Sequence, residues 1–368
     1  MPIKKMVWIL PLKPVQTNNH STMKILALFL LTVLTLNTNA KIWRVNNNPG
    51  LKADFLTLAD AHTGASPGDT IYLEPSIQCY AGFTWGKPLV LIGTGYFLAE
   101  NGITESNHLT ANVCGDITFN PGCEGSQMMG ISMWSHTAVI KSSDLVLKRN
   151  QIRNISIPRQ SGVRLTNLII VQNYVKAIYG GVYGGTNFYV DDLIFSNNIV
   201  VSELSFSYTI YNDDCPCYDQ ALTGKIYNNV FLGTVFLESC EFRNNIFYKS
   251  DLPTNILLLS DYNVVEENIF ARVLPWSDTL NYQISNTNLD NVNMTTLFAG
   301  GASPDGQWQI NPSSTNPLKE ICGAFAGQEP YVISGIPRIP VIYYLDVPYT
   351  TTRSAGLNIS VKARSTEY

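Results

Sequence analysis

Leu145-Val-Leu-Lys-Arg-Asn150, Leu168-Ile-Ile-Val-Gln-Asn173, Leu193-Ile-Phe-Ser-Asn-Asn198, Lys225-Ile-Tyr-Asn-Asn229, Cys240-Glu-Phe-Arg-Asn-Asn245 and Asn263-Val-Val-Glu-Glu-Asn268 are one pattern written six times. Three residues before the closing Asn stands Leu147, Ile170, Phe195, Ile226, Phe242 or Val265; two after it stands Ile152, Val175, Val200, Phe231, Phe247 or Phe270. Every one of these is apolar, while the closing Asn recurs at intervals of 23, 25, 31, 16 and 23 residues. A fixed phase with a variable period describes stacked coils in which one strand and one turn are held and the loops vary. At the strand spacing of about 4.8 Å, an Asn at the same turn of each coil passes its amide hydrogen bonds along the stack and satisfies groups that are costly to bury unpaired. The pattern predicts an all-β fold, a right-handed parallel β-helix; a sandwich has no reason to keep Asn in one phase. The long interval is assigned to a loop from Tyr211 to Gly224, and the short one to a tight turn at Gly233.

Composition agrees with that reading. The 368 residues carry 24 Lys and Arg against 28 Asp and Glu, a net charge of −4 that excludes the clustered base of a nucleic-acid footprint. Hydrophobic residues make up 45%, enough for a large core, whereas charged residues make up only 14%. The polar surface comes instead from 34 Asn and 19 Tyr, with 26 Gly for turns, which suits extracellular β-structure. Residues 1–40 read as a processing segment: Lys24 precedes the apolar run Ile25 to Leu36, then Asn37-Thr38-Asn39-Ala40, with cleavage expected after Ala40 and Met23 as the start. The run is shorter than the roughly 20 residues of a membrane span. The expectation is a chain that is secreted or held at the cell surface, with no transmembrane segment. Seven Cys leave at least one thiol over; Cys114 and Cys123 are close enough for a local bridge, and Cys215 and Cys217 sit in an acidic loop without zinc spacing.

Asp54 to His62 places apolar residues on a helical face, and Ile71 to Leu73 and Lys87 to Gly93 read as strands. A short helix over the open end of a β-helix hides edges that would recruit another chain. Ala53-Asp-Phe-Leu-Thr-Leu58, Ser66-Pro-Gly-Asp-Thr-Ile-Tyr-Leu73 and Pro88-Leu-Val-Leu-Ile-Gly-Thr-Gly-Tyr-Phe-Leu98 resemble the N-terminal coils of pectin-lyase-like β-helix proteins, especially secreted ones of Bacteroidetes. Gly323-Ala-Phe-Ala-Gly327 and Pro330 to Pro340 resemble their closing segment, so the resemblance covers most of Lys41 to Tyr368. The β-helix with its cap is assigned to residues 41–330. Residues 331–368 form a C-terminal unit in which Val341 to Val347 and Leu357 to Ala363 alternate as the strands of a hairpin.

The resemblance implies a lyase or hydrolase of acidic polysaccharides, but the residues give little support for either. Elimination needs a cation at the uronate and a base beside it, and hydrolysis needs two flanking carboxyls. The Gly-His-Gly, Arg-Ile-Lys and Arg-x-Pro-x-x-Arg signatures of that superfamily are absent. The adjacent pairs Asp191-Asp192, Asp213-Asp214 and Glu266-Glu267 point to opposite faces of a strand. If catalysis occurs, its candidates are Asp213, Asp214 and Asp219 in the long loop. No metal site or cofactor is called for, with calcium the one ion left open. Period-two alternation on the strand before the Asn strand turns Arg164, Tyr189, Phe236 and Leu258 outward, with Tyr208 beside them, as a stripe that stacks sugar rings or is covered by the C-terminal segment. The function expected is binding of an extended extracellular polymer, a polysaccharide or cell-surface glycan; the alternatives are a polysaccharide lyase or glycoside hydrolase, and a structural or adhesive surface component.

Overall fold

In the computed structural model, residues 40–102, 107–158, 160, 162–180, 189–206, 222–237, 240–249, 263–273, 283–348 and 356–364 are described. The segment calls at residues 1–39 lie outside these. Within Lys41–Tyr368, one compact unit, the chain passes back and forth between two parallel sheets. The first runs Ile42–Val45, Thr70–Leu73, Val90–Ile92, Gln127–Met129, Leu145–Lys148, Leu168–Val171, Tyr189–Ser196, Leu222–Tyr227, Cys240–Arg243, Val264–Glu266 and Gln283–Ile284, each hydrogen-bonded to the next. The second runs from Phe83–Trp85 through Ser132–Ile140, Gln151–Ile157, Tyr174–Gly180 and Ile199–Phe206 to Ile269–Phe270. The fold is thus all-β, parallel and solenoid-like.

The six repeats stack in the expected phase. Leu147, Ile170, Phe195, Ile226, Phe242 and Val265 pair one above another on the inner face of the first sheet, and all are buried. On the second sheet Phe231, Phe247 and Phe270 stack ring on ring, with centroids 5.2 and 4.6 Å apart. Between the sheets, Asn150, Asn173, Asn198, Asn229, Asn245 and Asn268 are fully buried, and each Nδ2 donates to Oδ1 of the next at 2.9–3.1 Å. The same Oδ1 accepts the preceding Asn's backbone N–H, and Nδ2 also reaches back to a strand carbonyl of the coil before, as Asn198 does to Ile170. Asn288 adds a further rung. It escapes the sequence pattern because Ile284, which pairs with Val265, stands four rather than three residues ahead of it.

The corner has its own backbone requirement. The residue before each Asn is left-handed, with φ of 54–59° at Arg149, Gln172, Asn197, Asn228, Asn244 and Glu267. Three of those six are not Asn, so the ladder imposes a conformation their side chains disfavour. Gly233 answers the short interval: a Cβ there would fall 1.6 Å from the Ser202 carbonyl oxygen. Three expectations need correction. The helix is Leu58–Gly64, starting later than Asp54 because Asp54 and Phe55 donate to the Arg44 carbonyl and Thr57 caps the helix through Asp60 N–H. The strand Leu222–Tyr227 begins inside the residues given to the loop. Cys114 bridges Cys79 rather than Cys123, because Tyr80 and Val113 lie in bridge pairing on adjacent coils and bring those neighbours together. Cys123 stays a buried thiol, pushed up to about 11 by burial.

From residue 321 the chain returns along this corner as a strap. Gly323 N–H donates to the Asn244 carbonyl, and Asn197 Nδ2 holds the carbonyls of Ala324 and Ala326. Gln172 Nε2 holds those of Glu329 and Pro330, and Arg149 Nη1 holds that of Ile336. Four of the six left-handed residues, Arg149, Gln172, Asn197 and Asn228, therefore turn their side chains to the strap's backbone. The described residues 321–337 of the C-terminal segment lie along this corner. Its anchor is Asp305, fully buried, which accepts from Ser334 N–H at 2.7 Å, Gly306 N–H at 2.9 Å and Asn101 Nδ2 at 3.1 Å. Beyond the strap, Val341–Asp346 pairs antiparallel with Ser360–Arg364. Ile342, Leu345, Ile359 and Val361 there are exposed.

Asn198→Ala strips the acceptor from two buried Asn173 donors and leaves the Ile170 carbonyl and Asn229 Oδ1 each one donor short, so urea unfolding should show a loss of about 3 kcal/mol or more, and Asn288→Ala, which strips two Asn268 donors and the donor to the Val265 carbonyl, should cost a comparable amount. Asp305→Ala should cost about 1–3 kcal/mol locally, seen as faster hydrogen exchange in the amides of residues 321–337 with the amides of Leu168–Val171 unchanged.

Candidate functional site

Counting back from each ladder Asn gives the outward side chains. Four residues before it stand Val146, Ile169, Ile194, Lys225, Glu241 and Val264, which pair in unbroken register across the first sheet. Two before it stand Lys148, Val171, Ser196, Tyr227, Arg243 and Glu266, again in register. Parallel pairing holds each column at the strand spacing, so the outer face carries two straight rails. The first is apolar at Val146, Ile169 and Ile194, ionised at Lys225 and Glu241 and apolar again at Val264, and the second is ionised at Lys148, Arg243 and Glu266. Between them and the turns at Asn167, Asp192 and Thr223 lies a groove of about 520 Å³, running from Ile169 past Ile194, Lys225 and Glu241 to Val264. That volume is in the range of ligand-binding clefts. Gly224 also lines it; its neighbours in the same column, Leu193 and Cys240, are buried, and a Cβ there would sit 3.0 Å from the Leu193 carbonyl oxygen.

The ionised end is a connected chain. Arg243 contacts Glu241 on its own strand and Glu266 on the next, the latter at 2.6 Å. Tyr227 donates its hydroxyl to Glu241. Burial, reinforced by that carboxylate, pushes the Tyr227 hydroxyl well above the usual phenol range. Burial also pushes Glu241 up, but hydrogen bonds from Tyr227 and Arg243 outweigh it and hold the carboxyl below its ordinary value. Neither group is poised near neutrality, where general acid–base exchange works best. Chemically the chain is a fixed polar rail. Among the described residues, no group of three or more His, Cys, Asp or Glu comes together to hold a metal ion, and no helix is long and apolar enough to cross a membrane.

The stripe expected from the sequence divides between sheets. Arg164 pairs with Tyr189 as expected, beside the first sheet. Phe236 pairs with Ser205 on the second sheet, so it belongs to a different face. The strand Thr234–Phe236 follows the corner at Gly233 directly and therefore continues Val230–Phe231. Leu165, Val190, Val235 and Leu237 do face inward, but Val163 is exposed. Arg164 is bound through both Nε and Nη2 to the Asp191 carboxylate on the next coil. Tyr208, Asp213, Asp214, Asp219 and Leu258 lie outside the described residues. The groove residues Lys225 and Glu241 and the rail residues Tyr227 and Arg243 are not among those singled out from the sequence, although their fixed offsets from the ladder Asn make both rails readable in the six repeats.

Arg243→Ala takes from Glu241 a hydrogen-bonded cation and leaves it Tyr227 and the more distant charge of Lys225, so its carboxyl should titrate higher. A depressed carboxyl stabilises the fold above its unfolded pKa near 4.3 and loses that contribution as the pH falls through its folded value. The stability difference between native protein and Arg243→Ala should therefore be largest at pH 7 and shrink towards pH 3, measured by urea unfolding. No family model, curated protein or solved structure matches this chain, and the groove has to be read from its own residues.

Proposed function

We propose that this chain is an exported, right-handed parallel β-helix protein, of the pectin-lyase-like kind its segments resemble, that binds an extended extracellular polysaccharide along the groove. The right hand follows from the strong preference of parallel crossovers. Leu58–Gly64 serves as its N-terminal cap, and Val341–Asp346 with Ser360–Arg364 as its C-terminal hairpin. The observation that carries the reading is the groove's line of Ile169, Ile194, Lys225, Glu241 and Val264, one residue from each of five consecutive coils. Four strand steps give it a run of roughly 19 Å, a long shallow shape that suits a linear polymer better than a compact metabolite. Apolar ring contact comes from Ile169 and Ile194, and hydroxyl recognition from Lys225 and Glu241. The Arg164–Asp191 pair and Tyr189 flank the groove across the turns at Asn167 and Asp192.

Binding rather than turnover is favoured because Glu241 and Tyr227 are each held on one side of their titration at neutral pH. Affinity electrophoresis of the protein through a panel of acidic and neutral polysaccharides should show retention on at least one. Ile194→Asp with Lys225→Ala, both at exposed positions, should weaken it by roughly tenfold or more, about 1.4 kcal/mol. A fall in polymer viscosity on incubation would show cleavage and replace binding by catalysis; no retention on any polymer would remove the reading.

A further inference from the structure

Asp69 is a buried carboxylate at the start of the stack, 4% exposed. One oxygen accepts from Trp43 Nε1 and Ser66 N–H, each at 2.8 Å. The other accepts, also at 2.8 Å, from the backbone nitrogen of Lys41. Lys41 is where the compact unit begins, and it leads into Ile42–Val45, the strand that pairs with Thr70–Leu73. Its carbonyl accepts from Thr70 N–H, and its Nζ lies 3.2 Å from the centre of the Trp43 ring. The residue before it, Ala40, is exposed. A carboxylate withdrawn from water is strongly destabilised unless a charge or several donors meet it. Here the donor aimed at Oδ1 is the peptide nitrogen that follows the small-residue sequence Asn37-Thr38-Asn39-Ala40.

We propose that hydrolysis of the Ala40–Lys41 peptide bond by an endopeptidase is a maturation step, and that the α-ammonium it creates at Lys41 closes an ion pair with Asp69 that locks the first strand to the stack. Water supplies both halves of the change. The C–N bond breaks, Ala40 leaves as a carboxylate carrying the water oxygen, and the Lys41 nitrogen takes up the protons to become an ammonium. A neutral donor to the carboxylate thereby becomes a cationic one, and the bond an ion pair, with no movement of the backbone. Burial raises the Asp69 carboxyl, but the donors from Lys41, Trp43 and Ser66 outweigh it and leave the group below its ordinary value. The α-amino group, whose unfolded pKa is about 7.7–8.0, is raised by its partner. The pair then stabilises the fold between the two unfolded values. It is lost as pH rises through the folded α-amino pKa, and as pH falls through that of Asp69.

The proposal rests on export of the chain, and its test separates the two. The full-length chain is expressed in an exporting bacterial host and the recovered protein is sequenced from its N-terminus; Lys41 is expected first, and any other residue overturns the processing step. A second full-length chain carries Ser-Gly inserted between Ala40 and Lys41, so that cleavage after Ala40 places the ammonium two residues away from Asp69. At pH 6.5 the native product should melt on the order of 2 °C higher than the inserted one, with slower hydrogen exchange in Ile42–Val45. The difference should vanish at pH 10 and in an Asp69→Asn background. Equal melting of native and inserted products at pH 6.5 overturns the ion pair even where the N-terminus is Lys41, and neither result bears on polysaccharide retention.

Discussion

A buried primary amide has two donor hydrogens and an acceptor oxygen to satisfy, and in an apolar interior each unmet group is costly. In this protein one Asn per coil meets that demand only with the Asn of the next coil, its strand carbonyls and the neighbouring backbone N–H. The ladder from Asn150 to Asn288 is therefore a constraint on register before it is a source of stability. A coil that slips by one residue loses its rung and breaks those above and below it. It also turns every apolar strand residue to the opposite face. The left-handed φ at Arg149, Gln172 and Glu267 shows the constraint overriding local preference.

Register fixed in this way determines what the outside looks like. Since each strand enters its corner at the same Asn, the positions two and four residues earlier must form straight columns on the outer face. Lys225, Glu241 and Arg243 occupy those columns on adjacent coils, which is why one guanidinium reaches carboxylates both on its own strand and on the next. The groove is thus a consequence of the ladder, with side-chain identity free to vary at positions that the core does not use. The left-handed residues have a similar role on the corner itself, where Arg149, Gln172 and Asn197 hold the strap by its carbonyls.

That division explains what could be read from the sequence. The inner columns and the ladder were legible because burial forces the same residue type to recur, so six segments align on Asn alone. The outer rails were present in the same alignment but carry no recurrent type. Alternation singles out the Arg164 strand instead, whose expected in-register partner holds for Tyr189 and fails for Phe236. Phe236 was misplaced because assignment by alternation fixes which side a residue faces but not which sheet its strand joins; that depends on the corner at Gly233. The Cys79–Cys114 bridge was missed for a related reason. Nearness in sequence favoured Cys123, whereas in a stack the residue one coil away is nearer in space than one nine positions along the chain.

A stack joined only between nearest neighbours is expected to open from its ends, since each coil's stability depends on the coil it lies against. The contacts in this protein bear on that weakness at places the ladder does not reach. The strap runs opposite to the stacking direction and ties later coils, through Asn244 and Asn197, to earlier ones through Arg149, so opening at one end also strains contacts at the other. Its buried anchor at Asp305 takes Asn101 Nδ2 from the early part of the chain and Ser334 N–H from the late part. At the first strand, Asp69 gathers Lys41, Trp43 and Ser66 before the Asn ladder has begun. Both places use a buried carboxylate where segments outside the ladder have to be held, because an acceptor with two oxygens can collect donors from several segments at once. The strap meets the outer face of the first sheet at Lys148, through Glu329, but contributes no residue to the groove lining from Ile169 to Val264, so that closing the stack and exposing the groove are compatible in one chain.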